Sequence, residues 1–582
     1  MYHSALLSSV TTLAISTLSF SLIVFVYERA LVPLYGTGPT SHLLGTVLLG
    51  VMLVSAMLPF HMSRLHNIFY AAVGLMITPK ATYWVGVLTA RWRLPVFGPA
   101  ITHAVVLGPL GFLLVTLLLR EGPRSWLLRL AIASLSWCST IQLSRRLWLH
   151  IAPLKQISDS QICLSLAFCL CSVWTMAYFG AEPLQKPANQ KASMLRPSVL
   201  AFVALVIFGW FAWPVLRSPI LPHPLPAPYA HPDYPLRILS AVESVTGLIV
   251  VAEALPPDAR IGDTKVHSMR YMRASHSLLG GVWMHDNVRV LDNQQPIADS
   301  YGTYLGDSIY AAFVLQEVVR LVEGRKSMQE GLIIWLTSTS SGLGTGISTT
   351  ALNRHGIATT IIEIDPAVYS AARQYFGLPD PGAGRVFLED ARAWVARQKS
   401  VDTGTRFDFV IHDCFSGGGV PEHIYTVEFW RDLQTLMKPD GIVVLNYGGI
   451  ANSESSRLIL HTLMEIFEQC RAFHDYSNDL TMDMYQTTFV NMAIFCTRSL
   501  QPLTFREARK PDYLGSPLRK HILGSLREHE VNISDILEAG DAGGRYVLSD
   551  KHNPLGKLQE AQGHHHWLLM RQVLPDWHWE TF

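Results

Sequence analysis

Six long apolar runs in the first 220 residues constrain the fold of this chain more than any other feature. Each is about 18 to 23 residues long and almost free of charge, roughly the length that crosses a bilayer as a helix. A seventh candidate lies within 67–90, where Pro79 and Lys80 interrupt the apolar pattern. So many uncharged runs in series would be hard to bury in a water-soluble core. The sequence therefore predicts an all-α transmembrane bundle of about six or seven helices over residues 1–216, with runs at 5–27, 41–60, 98–119, 126–143, 160–179 and 197–215.

The formal net charge of the chain is only +1, which gives no sign of a nucleic-acid partner. The predicted spans make the lipid bilayer a partner and the protein an integral, multi-pass membrane protein. Basic residues fall on both sides of the predicted bundle, so its orientation and the identity of the membrane stay open. Cys414, Cys470 and Cys496 lack metal-ligand spacing, which argues against a structural zinc and a disulfide framework. The simplest interpretation is a reduced soluble half that faces the cytosol.

A proline-rich stretch at 217–235 separates the apolar half from the polar half, and it predicts an extended linker. A small β-domain with a lead helix is expected next, over 236–325. Its strands are predicted within 247–254, 266–281 and 288–294, its turns at Gly280–Gly281 and Asp292–Asn293, and its helix at 307–324.

Strand-like and helix-like stretches alternate from about residue 331 onward. Apolar strands separated by helices are typical of a doubly wound parallel sheet. The pattern predicts strands at 331–336, 358–365, 385–390, 407–413 and 442–449, with helices between them, the last at 426–441. We therefore expect a Rossmann-like α/β domain over 326–500 and a helical tail over 501–582.

Residues suited to a nucleoside site stand at the ends of the first three predicted strands. The turn "SGLGTG" (341–346) supplies Gly342, Gly344 and Gly346, which let the backbone approach a ligand at a helix N-terminus. Glu363 ends the second strand, where a carboxylate can accept both ribose hydroxyls, and Asp365 beside it suits a helix N-cap. Asp390 ends the third strand and can accept a hydrogen bond from an adenine amino group.

The fourth predicted strand ends at Asp413. The glycine turn has no basic residue, so a nucleoside with a sulfonium suits this site better than one with phosphates. An anion at Asp413 would lie near that positive charge and could serve as a general base. The residues thus indicate an S-adenosyl donor, and no metal is expected.

Seven further stretches follow one another in the polar half: "LLGG" (278–281), "VLDN" (290–293), "DSIY" (307–310), "IIEIDPAV" (361–368), "ED" (389–390), "FDFVIHD" (407–413) and "KPDGIVVLN" (438–446). In order and spacing they resemble the spermidine synthase family, in particular its membrane-fused, fungal-type members. The resemblance implies a small β-domain ahead of a class I methyltransferase-like Rossmann domain, and a chain that can form homo-oligomers. It implies ribose binding at Glu363, adenine binding at Asp390 with Ala391, a base at Asp413, and a site-lining Tyr310.

Three positions depart from that family, whose aminopropyltransferases transfer from decarboxylated S-adenosylmethionine to a polyamine. Thr345 stands where the glycine turn normally has an acid that holds the donor's amine, Ser416 replaces an acid that holds the acceptor amine, and Ala311 follows Tyr310. Burying a polyamine without partner carboxylates is costly. These three departures favour S-adenosylmethionine itself as the donor and methyl transfer to a small acceptor, which could be lipophilic.

Two alternatives remain open at this point. The first is aminopropyl transfer to a polyamine, as the resemblance implies. The second is a non-catalytic membrane scaffold, because a Ser/Thr-rich insertion at 335–341 could keep the glycines from the ligand. His423 and Tyr425 are the predicted acceptor contacts, and "HSLLGG" (276–281) is expected to form either a pocket wall or a hairpin turn. We expect a structural His412 and a surface turn at "GHHHW" (563–567).

Overall fold

The computed structural model describes the chain except at residues 1, 59–61, 120–124, 152, 155–156, 181–196, 257–265, 325–327, 336–343, 402–403, 405, 415–418, 477–479, 482 and 539–546. It divides into two units. The first contains Met1–His223 together with Glu580–Phe582, and the second contains Pro224–Trp579. The division falls inside the proline-rich stretch 217–235.

The described part of the first unit is helical, as its apolar runs predict. Its helices are α1 (Tyr2–Tyr35), α2 (Thr37–His42), α3 (Leu44–Met57), α4 (Arg64–Ala90), α5 (Phe97–Val106), α6 (Gly108–Leu119), α7 (Trp126–Arg146), α8 (Asp159–Gly180) and α9 (Pro197–Leu216). Helix α4 continues through Pro79, so the interruption in the sequence does not break it.

Five stretches of the described residues are long and apolar enough to cross a membrane: Leu13–Tyr35, Thr37–Met57, Arg64–Ala90, Asp159–Tyr178 and Val199–Leu216. A sixth is possible if α5 and α6, which meet at a bend of 44°, form one broken span. The span predicted at 126–143 lies in α7 but does not meet the same standard, because Arg129 and several Ser, Thr and Gln residues lower its mean hydropathy. The prediction of six or seven spans is thus corrected to five or six by length and composition.

Polar side chains join helices of the first unit at several points. The Tyr27 hydroxyl lies 2.6 Å from Nδ1 of His103, and Nδ2 of Asn67 donates to Oγ1 of Thr116 at 2.8 Å. The guanidinium of Arg91 donates to both carboxylate oxygens of Glu580, at 2.9 and 2.6 Å. Interhelical hydrogen bonds of this kind are typical of helix packing in membranes.

The second unit begins with a five-stranded antiparallel sheet in the order β1-β2-β3-β4-β5. Its strands are β1 (Tyr229–Ala230), β2 (Leu236–Ser244), β3 (Gly247–Ala254), β4 (Met269–Ala274) and β5 (Ser277–Trp283). The pair β6 (Ile297–Ala298) and β7 (Tyr304–Leu305) follows. The small β-domain is therefore present, and Asp292 and Asn293 both have the positive φ of a turn.

Three local predictions for this domain are wrong. Gly280 and Gly281 lie inside β5, where a Cβ on Gly281 would approach the Arg270 carbonyl to 2.6 Å, and the turn is at Ser275. No strand forms at 288–294. The helix predicted at 307–324 is reduced to α10 (Ala312–Gln316) and a 3₁₀ turn at Glu317–Leu321, because the preceding residues pair with the β-domain instead.

An eight-stranded sheet follows, in the order β10-β9-β8-β11-β12-β14-β13-β15. Its strands are β8 (Glu330–Trp335), β9 (Ala358–Glu363), β10 (Val386–Phe387), β11 (Phe407–Asp413), β12 (Met437–Ile450), β13 (Gln469–His474), β14 (Phe489–Thr497) and β15 (Glu530–Val531). The pairs from β10 to β12 are parallel, and β14 runs antiparallel to both β12 and β13. This is the Rossmann-like arrangement that the alternating pattern predicts, with an antiparallel strand inserted near one edge.

Helices cover both faces of this sheet. They are α11 (Ile347–Arg354), α12 (Pro366–Tyr375), α13 (Ala391–Val401), α14 (Val427–Gln434), α15 (Glu454–Met464), α16 (Met484–Thr487), α17 (Pro517–Gly524) and α18 (Ile533–Glu538). Alternate strand residues pack on opposite faces: Val410 and Val443 belong to one buried cluster, and Ile411 and Val444 belong to the other. The sheet is therefore doubly wound. The helix predicted at 426–441 ends early, because Met437 already pairs with Phe407 in the sheet.

A disulfide joins Cys470 and Cys496. The two residues are direct partners in the antiparallel pairing of β13 with β14. Twenty-six positions separate them in the sequence, so only the strand register brings them together. The expectation of no disulfide is wrong. Because disulfides persist in oxidising compartments, the cysteines no longer support a reduced compartment for this half of the chain.

The chain ends in helices α19 (Leu555–Leu558), α20 (Glu560–Val573) and α21 (Asp576–Glu580), as the helical tail predicts. The "GHHHW" stretch lies within α20 rather than in a surface turn, and His566 and Trp567 are buried. Buried residues recur at Gln562, His566 and Met570, the spacing of one helix face, and this periodicity corrects the surface-turn expectation.

Candidate functional site

The strand order of the large sheet reverses at β8, and this point determines where a ligand can bind. After β8 the chain adds β9 and β10 on one side and then returns to place β11 on the other. Glu363 pairs with Trp335 at the end of β8, and His412, one residue before Asp413, pairs with Ile334. Glu363 and Asp413 therefore flank the carboxyl end of β8, which is the usual ligand position in open α/β sheets.

The glycine turn enters helix α11 at this edge. Gly344 and Gly346 have φ values of 52° and 72°, which non-glycine residues rarely adopt, and a Cβ on Gly346 would lie 2.9 Å from Leu378. Thr345 between them is buried, and its hydroxyl has no hydrogen-bond partner among the described residues. Gly342 and residues 336–341 of the Ser/Thr-rich insertion lie outside the described residues.

The acid that ends β9 and the acid two residues later have different roles. Asp365 accepts hydrogen bonds from the backbone N–H groups of Ala367 and Val368 at 2.8 and 3.3 Å, so it is the N-cap of α12, as predicted. Glu363 is fully buried and accepts a hydrogen bond from the Asp365 backbone N–H at 2.8 Å. The cap role thus falls to Asp365, and Glu363 ends its strand beside β8.

Asp390 lies immediately before α13, whose first residue, Ala391, is buried. Its Oδ1 accepts from the Ala393 N–H at 2.9 Å, and its Oδ2 lies 2.9 Å from Nε2 of His423. Burial opposes ionisation of Asp390, but hydrogen bonds from His423 and the backbone outweigh it and lower the pKa of the carboxyl group. His423, predicted as an acceptor contact, instead lies beside the predicted adenine contact, because the 3₁₀ turn Glu422–Ile424 carries it there.

Asp413 ends β11 with both carboxylate oxygens engaged. Nδ2 of Asn446 donates to Oδ1 at 2.9 Å, and Nε2 of Gln316 donates to Oδ2 at 2.7 Å. Burial raises the pKa of Asp413 from 3.8 to about 6, although both hydrogen bonds act in the opposite direction. The side chain is thus a buried, oriented carboxylate that can exchange a proton near neutral pH.

Gln316 connects Asp413 to the glycine-turn helix. The Ser348 hydroxyl donates to Oε1 of Gln316 at 2.6 Å and also lies 3.0 Å from the Phe313 carbonyl. Ser348 stands two residues after Gly346, near the start of α11. Sequence reasoning missed this chain of contacts, because Gln316 lies in a segment whose pattern indicates only a buried helix face.

A cavity of about 240 Å³ opens in front of Asp413. Tyr310, Asn446, Asp475 and Asn491 supply much of its polar lining, and Ser277, Leu278 and Leu279 form part of its wall. The tail helix α20 contributes His566, Leu569, Met570 and Val573. Burial and then His565 lower the pKa of His566 to about 4, so its ring is neutral at pH 7. The wall position of "HSLLGG" agrees with one of its two predicted roles.

The two predicted acceptor contacts, His423 and Tyr425, are absent from the described lining of this cavity. Tyr425 is fully buried, and its ring packs edge-on against His412 and Trp430 in the core, so its assignment to the acceptor is corrected. Strand alternation points His412 away from Asp413, and burial lowers its pKa to about 3, as expected for a structural histidine. Ser416 lies outside the described residues. Across the described part of the chain, no group of three or more His, Cys, Asp or Glu residues could hold a metal ion.

Residues 342–499 match the family model of the spermine/spermidine synthase domain. The chain is 37% identical over 362 residues to the N-terminal histidine N-methyltransferase of Emericella nidulans. That match covers 60% of this chain and 58% of the relative. The polyamine aminopropyltransferase of Vibrio vulnificus is 36% identical over 86 residues, or 15% of this chain and 28% of the relative.

Among solved structures, a probable spermidine synthase from Corynebacterium glutamicum aligns with 53% of this chain and 96% of its own chain. The TM-score is 0.35 and the sequence identity 15%.

Proposed function

We propose that this protein is a membrane-anchored, S-adenosylmethionine-dependent N-methyltransferase that acts on a terminal histidine or a similar small amine acceptor. The observation that carries the proposal is Asp413, a buried carboxylate at the ligand edge of the sheet. It faces a cavity whose described lining contains no lysine or arginine. A carboxylate in this position can accept the proton that an acceptor nitrogen loses on alkylation.

The donor half of the site fits an S-adenosyl group. The glycine turn, Glu363 and Asp390 follow one another along the ligand edge of the sheet, and the buried Thr345 hydroxyl has no described partner. Thr345 adds no negative charge that would repel a donor's carboxylate, and this favours S-adenosylmethionine over its decarboxylated form. When bound, such a donor supplies a methyl group carried by a positively charged sulfur.

The similarity to known proteins supports methyl transfer for this chain. The match to the fungal N-terminal histidine N-methyltransferase extends over 60% of the chain, against 15% for the aminopropyltransferase of Vibrio vulnificus. The chain spans 58% of the length of that fungal relative.

The five apolar stretches of the first unit support an integral, multi-pass membrane protein, in which the helices hold the transferase domain at a bilayer. The disulfide between Cys470 and Cys496 supports a transferase domain on the oxidising side of that bilayer.

Aminopropyl transfer to a polyamine is the second candidate. Asp413 and Asp475 line one cavity without a described cationic partner, and polyamines carry several positive charges. This reaction needs a donor without a carboxylate, and the identity of the preferred donor therefore separates the two candidates.

The test uses the full chain in lipid nanodiscs with four acceptors: a peptide that begins with histidine, the same peptide acetylated at its N-terminus, putrescine and spermidine. Each acceptor is incubated with S-adenosylmethionine or its decarboxylated form, and the products are identified by mass. We expect a gain of one methyl group on the histidine peptide, absent in Asp413→Asn and in Glu363→Ala. Aminopropyl products would establish the second candidate. No product of either kind, with donor binding intact, would refute both and leave a binding scaffold.

A further inference from the structure

Two carboxylates, the buried Asp413 and the half-buried Asp475, line the cavity, and only one of them is needed as a base. The second, Asp475, follows β13 and was not recognised in the sequence. Its carboxylate accepts from Nδ2 and from the backbone N–H of Asn491, at 2.7 and 3.2 Å. Burial raises the pKa of Asp475 against these two hydrogen bonds. Burial and then the charge of Asp475 raise the pKa of the Tyr310 hydroxyl, which also lines the cavity.

Several buried acids of this unit have ionic partners. Glu253 and Asp299 both bind Arg270, Glu317 binds Arg519, and Asp512 binds both Arg320 and Arg506. Each of these buried charges is neutralised by a guanidinium, as buried charges generally must be. The described lining of the cavity offers Asp475 no such partner. A cation from outside the protein can supply it.

A second feature of the cavity also calls for a polar ligand. Asn446 is more than nine-tenths buried, lines the cavity and donates its Nδ2 hydrogen to Asp413. Its Oδ1 atom has no hydrogen-bond partner among the described residues. A buried carbonyl oxygen without a donor is costly, and an N–H group of a ligand would satisfy it. The cavity therefore presents acceptors at both ends, Asp413 with Asn446 at one and Asp475 at the other.

The positions of the two acids limit the size of the ligand. Strands β12 and β14 lie between β11 and β13, so the strands that carry the acids are about 14 Å apart at a spacing of about 4.8 Å per strand. Both side chains project into the cavity, and each would make a charge-assisted hydrogen bond of about 2.8 Å. The remaining space suits a ligand of about one amino acid, with a nitrogen at each end.

We infer that Asp475, with Tyr310 and Asn491 beside it, binds the protonated amino group of the acceptor and thereby places a second nitrogen of the same acceptor against Asp413. The inference rests on the proposed N-methyl transfer. For a terminal histidine the assignment follows from acidity: an α-amino group with a pKa near 7.7–8.0 stays cationic at pH 7, whereas an imidazole with a pKa near 6.5 is mostly neutral. The cation therefore belongs at Asp475. The neutral ring belongs at Asp413, which can accept a hydrogen bond from the ring N–H and take that proton, while the lone pair of the other ring nitrogen stays free to take the methyl group.

The test compares two peptides that differ only at the amino group. One begins with histidine, and the other begins with des-amino-histidine, which keeps the imidazole ring. Wild-type protein in nanodiscs should prefer the first peptide in kcat/KM by about 10- to 100-fold, the range that a hydrogen bond to a charged group supports. In Asp475→Asn this preference should fall to within about threefold, mainly through KM, while the des-amino peptide reacts as it does with wild type. Asp475→Glu should restore part of the preference, and the exposed Asp286→Asn should change nothing.

Equal losses for both peptides in Asp475→Asn would indicate a structural role and overturn the inference. A wild-type enzyme that does not distinguish the peptides would overturn it as well. If wild type methylates neither peptide, the proposed function fails, and calorimetric titration of the same pair decides the inference separately. Tighter binding of the peptide with the amino group, lost in Asp475→Asn, would then still support an ammonium subsite, and equal binding would reject it.

Discussion

Replacing Asp413 by asparagine should lower activity. It should also remove a loss of stability that wild type undergoes as the pH rises. The substitution keeps the shape of the side chain and removes its charge. A positioned general base typically contributes 10²- to 10⁴-fold, so we expect kcat to fall by at least about 100-fold. In wild type, kcat/KM should rise with pH around the Asp413 pKa of about 6, because only the ionised carboxylate accepts a proton.

The stability effect follows from the difference between the two pKa values of Asp413. The native state binds the proton with a pKa of about 6, against an ordinary value of 3.8, so the unfolded chain releases it first as pH rises. Wild type is therefore destabilised as pH rises from about 4 through 6, by about 3 kcal/mol in total at about 1.4 kcal/mol per unit. The variant lacks this group and escapes the loss. In the variant, one of the two N–H groups that bind Asp413, from Gln316 or Asn446, faces the amide nitrogen of the new asparagine and loses its acceptor. This costs about 1 to 3 kcal/mol of stability, independent of pH.

The pH-dependent difference between variant and wild type is thus the quantity to measure. Between pH 4.5 and 8 it should grow by about 2 kcal/mol, or about 3 °C in Tm for a unit of about 350 residues. Tryptophan fluorescence of the full chain in nanodiscs, followed during heating at each pH, reports it. The exposed Asp286→Asn is the matched control and should track wild type. Parallel Tm curves for Asp413→Asn and wild type would refute the raised pKa, and retained kcat would refute the base.

One further substitution tests the proposed donor site, and one chemical labelling experiment tests the state of the cysteines. Thr345→Asp should shift donor preference by about 10- to 100-fold from S-adenosylmethionine toward its decarboxylated form, because a carboxylate there repels the donor's own carboxylate. Calorimetric titration with both donors measures the shift, with Thr345→Asn as the uncharged control. An unchanged preference would count against Thr345 as a donor contact. Denatured, unreduced protein should expose five thiols to a maleimide, at Cys138, Cys163, Cys169, Cys171 and Cys414, and reduction should add two more; seven thiols without reduction would exclude the disulfide.

The position of the predicted donor residues at the carboxyl edge of the sheet could be predicted from the sequence, because these residues belong to local patterns. The glycine turn, Glu363 and Asp390 each follow a short apolar strand within one stretch of about 50 residues, and parallel strands place their ends on one edge. Asp365 was separable from Glu363 because it immediately precedes Pro366, the first residue of a helix.

The lining of the cavity in front of Asp413 could not be predicted, because it depends on contacts between distant parts of the chain. Asp475 reaches the cavity only through the antiparallel insertion of β14 between β12 and β13, which no local pattern encodes. His566 belongs to the tail, where three adjacent histidines resemble a polar surface turn until the burial of one helix face is known. The same dependence on strand register hid the pairing of Cys470 with Cys496.

The contacts around Gln316 connect the glycine turn to Asp413, so these two parts of the candidate site are not independent. Gly346 is the N-cap of α11, Ser348 on that helix donates to the Oε1 atom of Gln316, and Gln316 in turn donates to Asp413. Because the side-chain amide has one donor end and one acceptor end, the Ser348 contact fixes which end faces the carboxylate. A shift of α11 on donor binding would therefore change the hydrogen bond that opposes the raised pKa of Asp413. Under the proposed function, donor binding at the glycine turn would in this way change the basicity of Asp413.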